Sequence, residues 1–570
     1  MNIAGIFMEG PNTGACLIMD GKLIAVAEEE RFLRMKRASD CFPANALKYC
    51  LKEGGIKLTD VSIVAAGWDH SKYPAAMDEH MGAIPGRELD EFADTAEKIV
   101  HTSFDAKWSK FKIVNGLKKI DPQADPEIRF YSHHKSHAAS VHYLAGFEQS
   151  SVLSMDGSGE EISTTTWIGE GDDLKLVKQW DLPNSLGWYY AAITEFLGFS
   201  AYSGEGKVMG LAPYGKPDEE IAEKLRKIIK VTDDGYELDP TYIYYGKRSW
   251  SRRYTDKLVE LLGEPRKGES GLTPYYESVA FEAQRLLEEI GIDLAQDLIA
   301  QTGNRNLCLT GGVAMNCKMN GVISLLPEVD EVFINPASHD VGTCIGAALL
   351  AVKDEGISPR LNKLEHAYWG PGFSDDEIQE ALNACKLDYE YSENPSKTAA
   401  ECLNKGLIVG WFQGRMEFGS RALGNRSILA NPTILNMKEE INRQVKFREP
   451  FRPFAPSMTE ESLHRYAKDA RKSPFMILAY QVNDGIAGVL PSVVHVDGSI
   501  RPQTVDKKVN EPYWNLLNEF EKLSGHSLVL NTSFNIRGEP IVCTPNEAVR
   551  CFFASGIDVL CVGSYVLRKE

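Results

Sequence analysis

The strongest constraint on the fold is a design that occurs twice along the chain. Residues 2–30 read as an apolar strand (IAGIF), a second apolar strand (TGACLIM), an Asp20-Gly21 hairpin signal and a third strand (KLIAVAEEE). The stretch SVLSMDGSGEEISTTTWIGEGDDLKLVKQW repeats strand, Asp-Gly turn and strand. Between and after these come α/β signals. FPANALKYCLKEGGI is an amphipathic helix stopping at Gly54-Gly55, VSIVAAGWD is a buried strand, and FYSHHKSHAASVHYLAGF is helical from about His133. NLCLTGGVAMNCKMNGVISLL and EVFINPASHDVGTCIGAALLAV each read as strand, turn and helix. The pattern predicts an α/β domain with an internal duplication. The stretch 75–125 reads as charged and helix-rich.

A Gly- and Pro-rich segment, DEGISPRLNKLEHAYWGPG, interrupts the pattern at 354–372. It places a first domain at 1–355, a linker at 356–371 and a second domain, also mixed α/β, at 372–570. A chain of 570 residues has room for two such cores without disulfide staples. Its eleven cysteines are scattered, without CxxC pairs or zinc-type spacing, which suits the reducing cytoplasm. Lys+Arg 62 against Asp+Glu 80 gives a net charge of −18, which argues against nucleic acid as a partner read through bulk charge. No apolar run reaches the roughly 18 residues of a membrane span, and the MNIAGIFMEG start does not read as a signal peptide.

Three groups of residues have chemical potential. His133 and His137 are four apart, so on a helix both imidazoles share one face. Asp156 ends an apolar strand and Asp340 sits between a strand and a helix. Two imidazoles and two carboxylates suit Fe²⁺, Mn²⁺ or Zn²⁺. A His pair at this spacing is also an ordinary core or surface feature, and nothing in the linear sequence brings Asp340 to it. The second group is a set of Gly turns, Asp156-Gly157-Ser158-Gly159, Gly204-Glu205-Gly206-Lys207 and Gly311-Gly312, which can present backbone N–H groups to phosphate or simply be tight turns. Together with the paired hairpins they resemble the actin/hexokinase nucleotide-binding fold. The third is a run of cations in an acidic protein: GRMEFGSRALGNRSI, VKFREPFRPFAPS, DGSIRPQTV and LVLNTSFNIRGEP. Guanidinium groups among buried-type residues point to an enclosed anion site, with surface ion pairing to Glu417, Glu449 and Glu539 as the plainer reading.

These blocks, with AEEERFLRMK, AAGWD, HHKSHAAS, MDGSGEE, GEGKVMGLAPYG, LTGGVAMN, DVGTCIGAAL and NTSFN in the same order, resemble the O-carbamoyltransferases of nodulation and antibiotic biosynthesis along nearly the whole chain. The resemblance implies a duplicated actin/hexokinase-type domain followed by a YrdC-like α/β domain. It implies that carbamoyl phosphate and ATP, with Mg²⁺, give carbamoyl adenylate in the second domain. The adenylate then passes inside the protein to the first, where a metal, iron above Mn²⁺ or Zn²⁺, holds its phosphate and a hydroxyl of a small natural product or sugar takes the carbamoyl group. Carried over by position, the metal ligands are His133, His137, Asp156 and Asp340, and the nucleotide contacts are Lys207, Gly311, Gly312 and Asn316. The carbamoyl phosphate contacts are Lys446, Arg452, Arg501 and Ser533, with Arg421, Asn531 and Thr532 at the same site.

Two positions depart from the family pattern. Where it usually carries a His-Asp pair, with the His a plausible base for the acceptor hydroxyl, this chain reads Pro11-Asn12-Thr13. Where a Lys-His pair is common it reads Lys36-Arg37. Asp69 and His70 are the substitute candidates for the acceptor base, with an exposed loop histidine as the plainer reading of His70. Two rival readings follow: a carbamoyl phosphate or carbamoyl adenylate hydrolase, with water as acceptor, and a non-catalytic nucleotide-binding protein of the actin superfold. The sequence names neither the acceptor nor the oligomeric state.

Overall fold

The computed structural model describes residues 1–8, 10–70, 105–244, 252–268 and 270–569. Of the charged 75–125 stretch, residues 75–104 lie outside the described residues, while Ala106–Ile120 is a helix. The chain packs as two compact units. The first comprises residues 1–25 and 39–363, the second residues 26–38 and 364–570. The linear division at 355 did not separate residues 26–38, which pack with the second unit although they lie near the amino end.

In the first unit, β1 (Asn2–Phe7), β2 (Gly14–Met19), β3 (Lys22–Glu28, whose residues 26–28 are counted with the second unit), β4 (Ile63–Ala66) and β5 (Glu127–Phe130) form a sheet of order β3-β2-β1-β4-β5. β1 is antiparallel to β2 and parallel to β4, and β4 is parallel to β5. The Asp20-Gly21 turn between β2 and β3 has both residues at positive φ, 47° and 74°, as a tight hairpin needs. Helix α1 (Ala44–Gly54) ends, as its Gly pair foretells, with Gly55 left-handed at its C-cap.

A second sheet repeats the plan. It uses β6 (Gln149–Gly159), β7 (Ile162–Glu170), β8 (Asp173–Asp181), β11 (Asn306–Thr310) and β12 (Glu331–Ile334) in the order β12-β11-β6-β7-β8. Here β6, β7 and β8 run antiparallel while β6, β11 and β12 run parallel. β9 (Ile229–Thr232) and β10 (Gly235–Leu238) form a separate ribbon. The same central strand, hairpin side and parallel side in both sheets is the duplication of the actin/hexokinase-type fold. One detail differs from expectation: Asp156-Gly157 is not the hairpin turn. Both residues lie inside β6, where the pairing register shifts between Met155 and Gly159, and the turn falls at Glu160-Glu161.

Between the sheets lie two helices. α2 (His133–His142) packs on the second sheet, and α3 (Thr343–Asp354) packs on the first. They meet so closely that a Cβ on Gly346 would come within 1.8 Å of Ser136 O, so only glycine fits there. The stretch TPYYESVAFEAQRLLEEIGIDLAQDLIAQTG is one helix of 29 residues, Pro274–Thr302.

The second unit is built on an eight-stranded mixed sheet. Its strands are β13 (Glu390–Tyr391), β14 (Val409–Phe412), β15 (Arg426–Ala430), β16 (Ala455–Thr459), β19 (Gln503–Val505), β20 (Leu528–Ser533), β21 (Val559–Val562) and β22 (Tyr565–Arg568), in the order β13-β22-β21-β14-β15-β20-β16-β19. β17 (Tyr480–Gln481) and β18 (Ser499–Ile500) pair apart from it. Trp411, Leu429, Val529, Tyr513 and Phe520 are core residues beneath the sheet. Residues 26–38 are fastened here by buried charge. Arg31, 5% exposed, pairs with Glu28 and Glu30 and donates to Gly419 O at 2.9 Å, while Arg34 donates to Ile541 O (2.7 Å) and Pro540 O (2.8 Å). Removing one partner of such a buried pair costs about 3–5 kcal/mol. All eleven cysteines are free, and among the described residues no helix is long and apolar enough to cross a membrane.

Candidate active site

The first unit gathers His133, His137, Asp156 and Asp340, with ligand atoms all within 4.8 Å of one another. α2 presents both imidazoles from consecutive turns. His137 Nε2 lies 3.1 Å from His133 Nε2 and 3.1 Å from Asp156 Oδ2, and His133 Nε2 lies 3.3 Å from the same oxygen and 3.8 Å from Asp340 Oδ1. The far ring nitrogens are held from behind: His133 Nδ1 donates to Gly67 O (3.0 Å), and His137 Nδ1 is 3.2 Å from Thr310 Oγ1. With Nδ1 committed to that bond, Nε2 is the His133 nitrogen left facing the carboxylates, the usual support for a metal-binding imidazole. Two ring nitrogens and two carboxylates facing one another make an electron-rich set that calls for a cation, and the donors fit a borderline divalent metal.

The electrostatics agree. Burial opposes charge on His133, but the Asp156 hydrogen bond and the Asp340 and Asp156 charges outweigh it and push its pKa up to about 9. Burial and the His133 charge hold His137 down at about 4. Asp156 is buried, yet hydrogen bonds from both histidines keep it well below the usual carboxylate range. Burial and the Asp156 charge push Asp340 up to about 8. Both imidazoles are fully buried while the Asp340 side chain is 19% exposed, so the cluster is open on the Asp340 side.

Around the cluster stand several other expected residues. Gly311 has φ 89°, and a Cβ there would lie 2.1 Å from Met155 O, so the Gly311-Gly312 turn is pressed onto the strand that carries Asp156. A Cβ on Gly312 would come within 2.9 Å of Asp156 Oδ1. Asn316 caps helix α4 (Cys317–Ser324) and exchanges amide hydrogen bonds with Gln284 (2.9 and 3.0 Å). Lys207 sits on helix α5 (Glu205–Leu211), its ammonium 5.3 Å from the Phe199 ring, and a Cys317–Met209 contact brings that helix to the start of α4. A Cβ on Gly10 would lie 3.9 Å from Asp340 Oδ2, so the turn that carries Pro11 stands beside this carboxylate.

Asp69 reaches the cluster through Glu160, which the sequence reading missed. The Glu160 carboxylate accepts from Asp69 N (2.7 Å) and His133 N (3.0 Å), while Ser132 gives α2 no side-chain cap. A remote acid thus does the capping, at the end of the helix where negative charge is favourable. Its place after Gly159 in the MDGSGEE block was the available signal; in the structure it sits at the β6–β7 turn with φ 54°. His70 is 3% exposed, stacked 6.1 Å from the Trp68 ring, and is not an exposed loop residue.

In the second unit, cations converge. Lys446 is 6% exposed, and its ammonium donates to Ser533 O, to Asn535 O (3.0 Å) and to Asn535 Oδ1 (2.9 Å). Its three protons therefore organise the turn after β20. Burial draws its pKa well below the usual lysine range, and Arg448, Lys36 and Arg452 add to that pull. Burial, then Arg452 and Arg501, lowers Arg448. Burial also lowers Arg452, with Glu449, 3.8 Å away, opposing and Arg501 reinforcing. The Arg501 Nε is buried with no hydrogen-bond partner among the described residues. Mutually repelling cations, with Glu449 opposing at Arg448 and Arg452 and Glu30 at Lys36, are stabilised by a small anion. Lys36 and Arg448 were not among the expected contacts. Lys36 is near in charge because residues 26–38 belong to this unit, which no local pattern announces.

The other expected residues lie on the neighbouring strand and loop. Asn531 and Thr532 are in β20, opposite Leu429 and Ile428 of β15. Asn531 Nδ2 donates to Ala422 O (3.1 Å), Ser457 Oγ (2.8 Å) and Gln503 Oε1 (3.2 Å), which ties β20 to the loop that carries Arg421.

The duplicated sheets place the first unit in the actin/hexokinase fold class. Within it, the chain belongs to the carbamoyltransferase family: the model of the carbamoyltransferase N-terminus matches residues 3–349, and that of the C-terminus matches residues 400–569. The chain is 35% identical over 574 residues to nodulation protein NolNO of Sinorhizobium fredii, covering 98% of this chain and 80% of that one. It is 37% identical over 445 residues to NolO of Bradyrhizobium diazoefficiens, covering 77% and 79%. Among solved structures, T. kodakarensis HypF aligns at 14% identity over 62% of this chain and 48% of its own, with a TM-score of 0.32. A ROK hexokinase from Thermus thermophilus aligns at 14% over 62% and 100%, with a TM-score of 0.30.

Proposed function

We propose that this carbamoyltransferase works through carbamoyl adenylate. Carbamoyl phosphate, ATP and water give carbamoyl adenylate, phosphate and pyrophosphate on the cations of the second unit. A hydroxyl of a small natural product or sugar then attacks the carbamoyl carbon at the first unit's cluster, and AMP leaves. The observation that carries the reading is the second unit's excess of partly enclosed cations around Arg452 and Arg501, which suits a compact dianion. Arg452 and Arg501 would neutralise the phosphate, Lys446 would hold Ser533 in place, and Arg421, Asn531 and Thr532 would line the same site. In the first unit, Gly311, Gly312, Asn316 and Lys207 would meet the nucleotide. Fe²⁺, or Mn²⁺ or Zn²⁺, held by His133, His137, Asp156 and Asp340, would supply Lewis acidity to a phosphate oxygen. The acceptor's proton would pass to Asp69 or His70, since Pro11 cannot take it. Mg²⁺ would accompany ATP, and the free cysteines suit a cytoplasmic setting.

The test is carbamoyl-phosphate-dependent exchange of labelled pyrophosphate into ATP, followed by mass spectrometry of acceptor mixtures for the gain of one carbamoyl group. Exchange with transfer is expected. Absence of exchange removes the adenylate. The Pro11 turn beside Asp340 favours one second reading, transfer to water. Carbamate or ammonia release that no acceptor diverts would establish it.

A further inference from the structure

The first unit carries another built group of side chains next to the cluster. The helix Leu186–Phe196 begins against the Asp156-Gly157 backbone. Ser185 caps it, accepting from Trp188 N (3.0 Å) and donating to Gly157 O (2.7 Å). Gly187 lies so close that a Cβ would come within 2.6 Å of Gly157 N. The first turn, and Trp188 with it, is therefore pinned one residue beyond Asp156. Trp188 is 5% exposed and its indole Nε1 is buried without a hydrogen-bond partner among the described residues. That nitrogen lies 3.7 Å from the position a Cβ would take on Gly157, so it is a donor aimed alongside the turn.

Arg253 stacks on this indole. It is 8% exposed, and its guanidinium carbon lies 4.5 Å from the Trp188 ring centre and 4.6 Å from that of Tyr202. Glu195, on the same helix as Trp188, accepts from Arg253 N (2.7 Å) and lies 3.6 Å from its Nε. Tyr202 is held at φ 62° with its N–H on Glu205 Oε1 (2.7 Å), and the charges of both Arg253 and Asp340 act on its phenol. Because the guanidinium covers a face of each ring, the group offers N–H and O–H donors and a fixed positive charge rather than a stacking platform for a sugar. Such donors suit an oxyanion.

We infer that Trp188, Tyr202 and Arg253 form a phosphate-recognising subsite for a nucleoside monophosphate group beside Asp156-Gly157. The inference rests on the proposed arrival of an adenylate at this cluster and gives its phosphate protein partners besides a metal. AMP and adenosine binding to the full chain, measured by calorimetry for wild type, Arg253→Gln and Trp188→Phe, tests it. Arg253→Gln should weaken AMP about tenfold or more, as a charge-assisted contact does, with adenosine unchanged. Trp188→Phe keeps the packing, loses the N–H and should weaken AMP about threefold. Equal losses for AMP and adenosine, or no loss for AMP, overturn the subsite. AMP binding decides this whether or not pyrophosphate exchange is found, whereas absent exchange sinks the parent reading alone.

Discussion

The two candidate centres are electrostatic opposites. The first unit's cluster is acids and imidazoles packed nitrogen to oxygen, with His133 pushed up to about 9 because the group is short of positive charge. The second unit's cluster is lysine and arginine, with Lys446, Arg448 and Arg452 all drawn down because burial and like charge leave it short of negative charge. Each is poorly compensated by its own side chains, and each names the sign of what it takes: a cation in one, an anion in the other. They also differ in support. The imidazoles are fixed by single atoms from separate elements, Gly67 O and Thr310 Oγ1, whereas Lys446 is fixed by the backbone and side chain of one turn.

The contrast breaks most sharply at His137. His137→Ala should lose bound metal and cut carbamoyl transfer by on the order of 100-fold or more, while pyrophosphate exchange persists. Elemental analysis showing retained metal would remove the residue from the site. Next in size is Arg501→Ala, which should lower exchange by roughly 10- to 100-fold, with metal content intact. In wild type, carbamoyl phosphate at about 100 times its Kd should add ~2.7 kcal/mol to stability, seen as a raised Tm that the variant lacks. The smallest effect sharpens the difference in support. Glu160→Ala removes the acceptor that joins Asp69 to α2 and should weaken metal binding about tenfold, read by competition with a chelator, with exchange unaffected.

Much of this was legible. The i, i+4 spacing put both imidazoles on one face, and the repeated run of apolar strands pointed to the duplication even though the second Asp-Gly pair misplaced its turn, because both depend on local periodicity. The position of Asp156 was legible but its setting was not: a bulge carries the Asp-Gly pair inside β6, and alternation alone does not reveal a bulge. Asp340 reached the cluster only through the family resemblance, since its meeting with His133 is made by tertiary packing over some two hundred residues. The cationic run was visible, yet Lys446 spends its protons on the turn after β20, and Lys36 joins from the far end of the chain.

The assignment of residues 26–38 to the second unit also governs how this protein is made. Arg31 precedes its acceptor Gly419 O by 388 positions, and Arg34 precedes Pro540 O and Ile541 O by 506 and 507. Until that downstream segment has been made, Arg31 and its two glutamates have no pocket to enter, so the second unit closes over a long loop. A gene cut at the boundary would therefore separate a lock from its key, and a split version should regain its second half only when residues 26–38 travel with it.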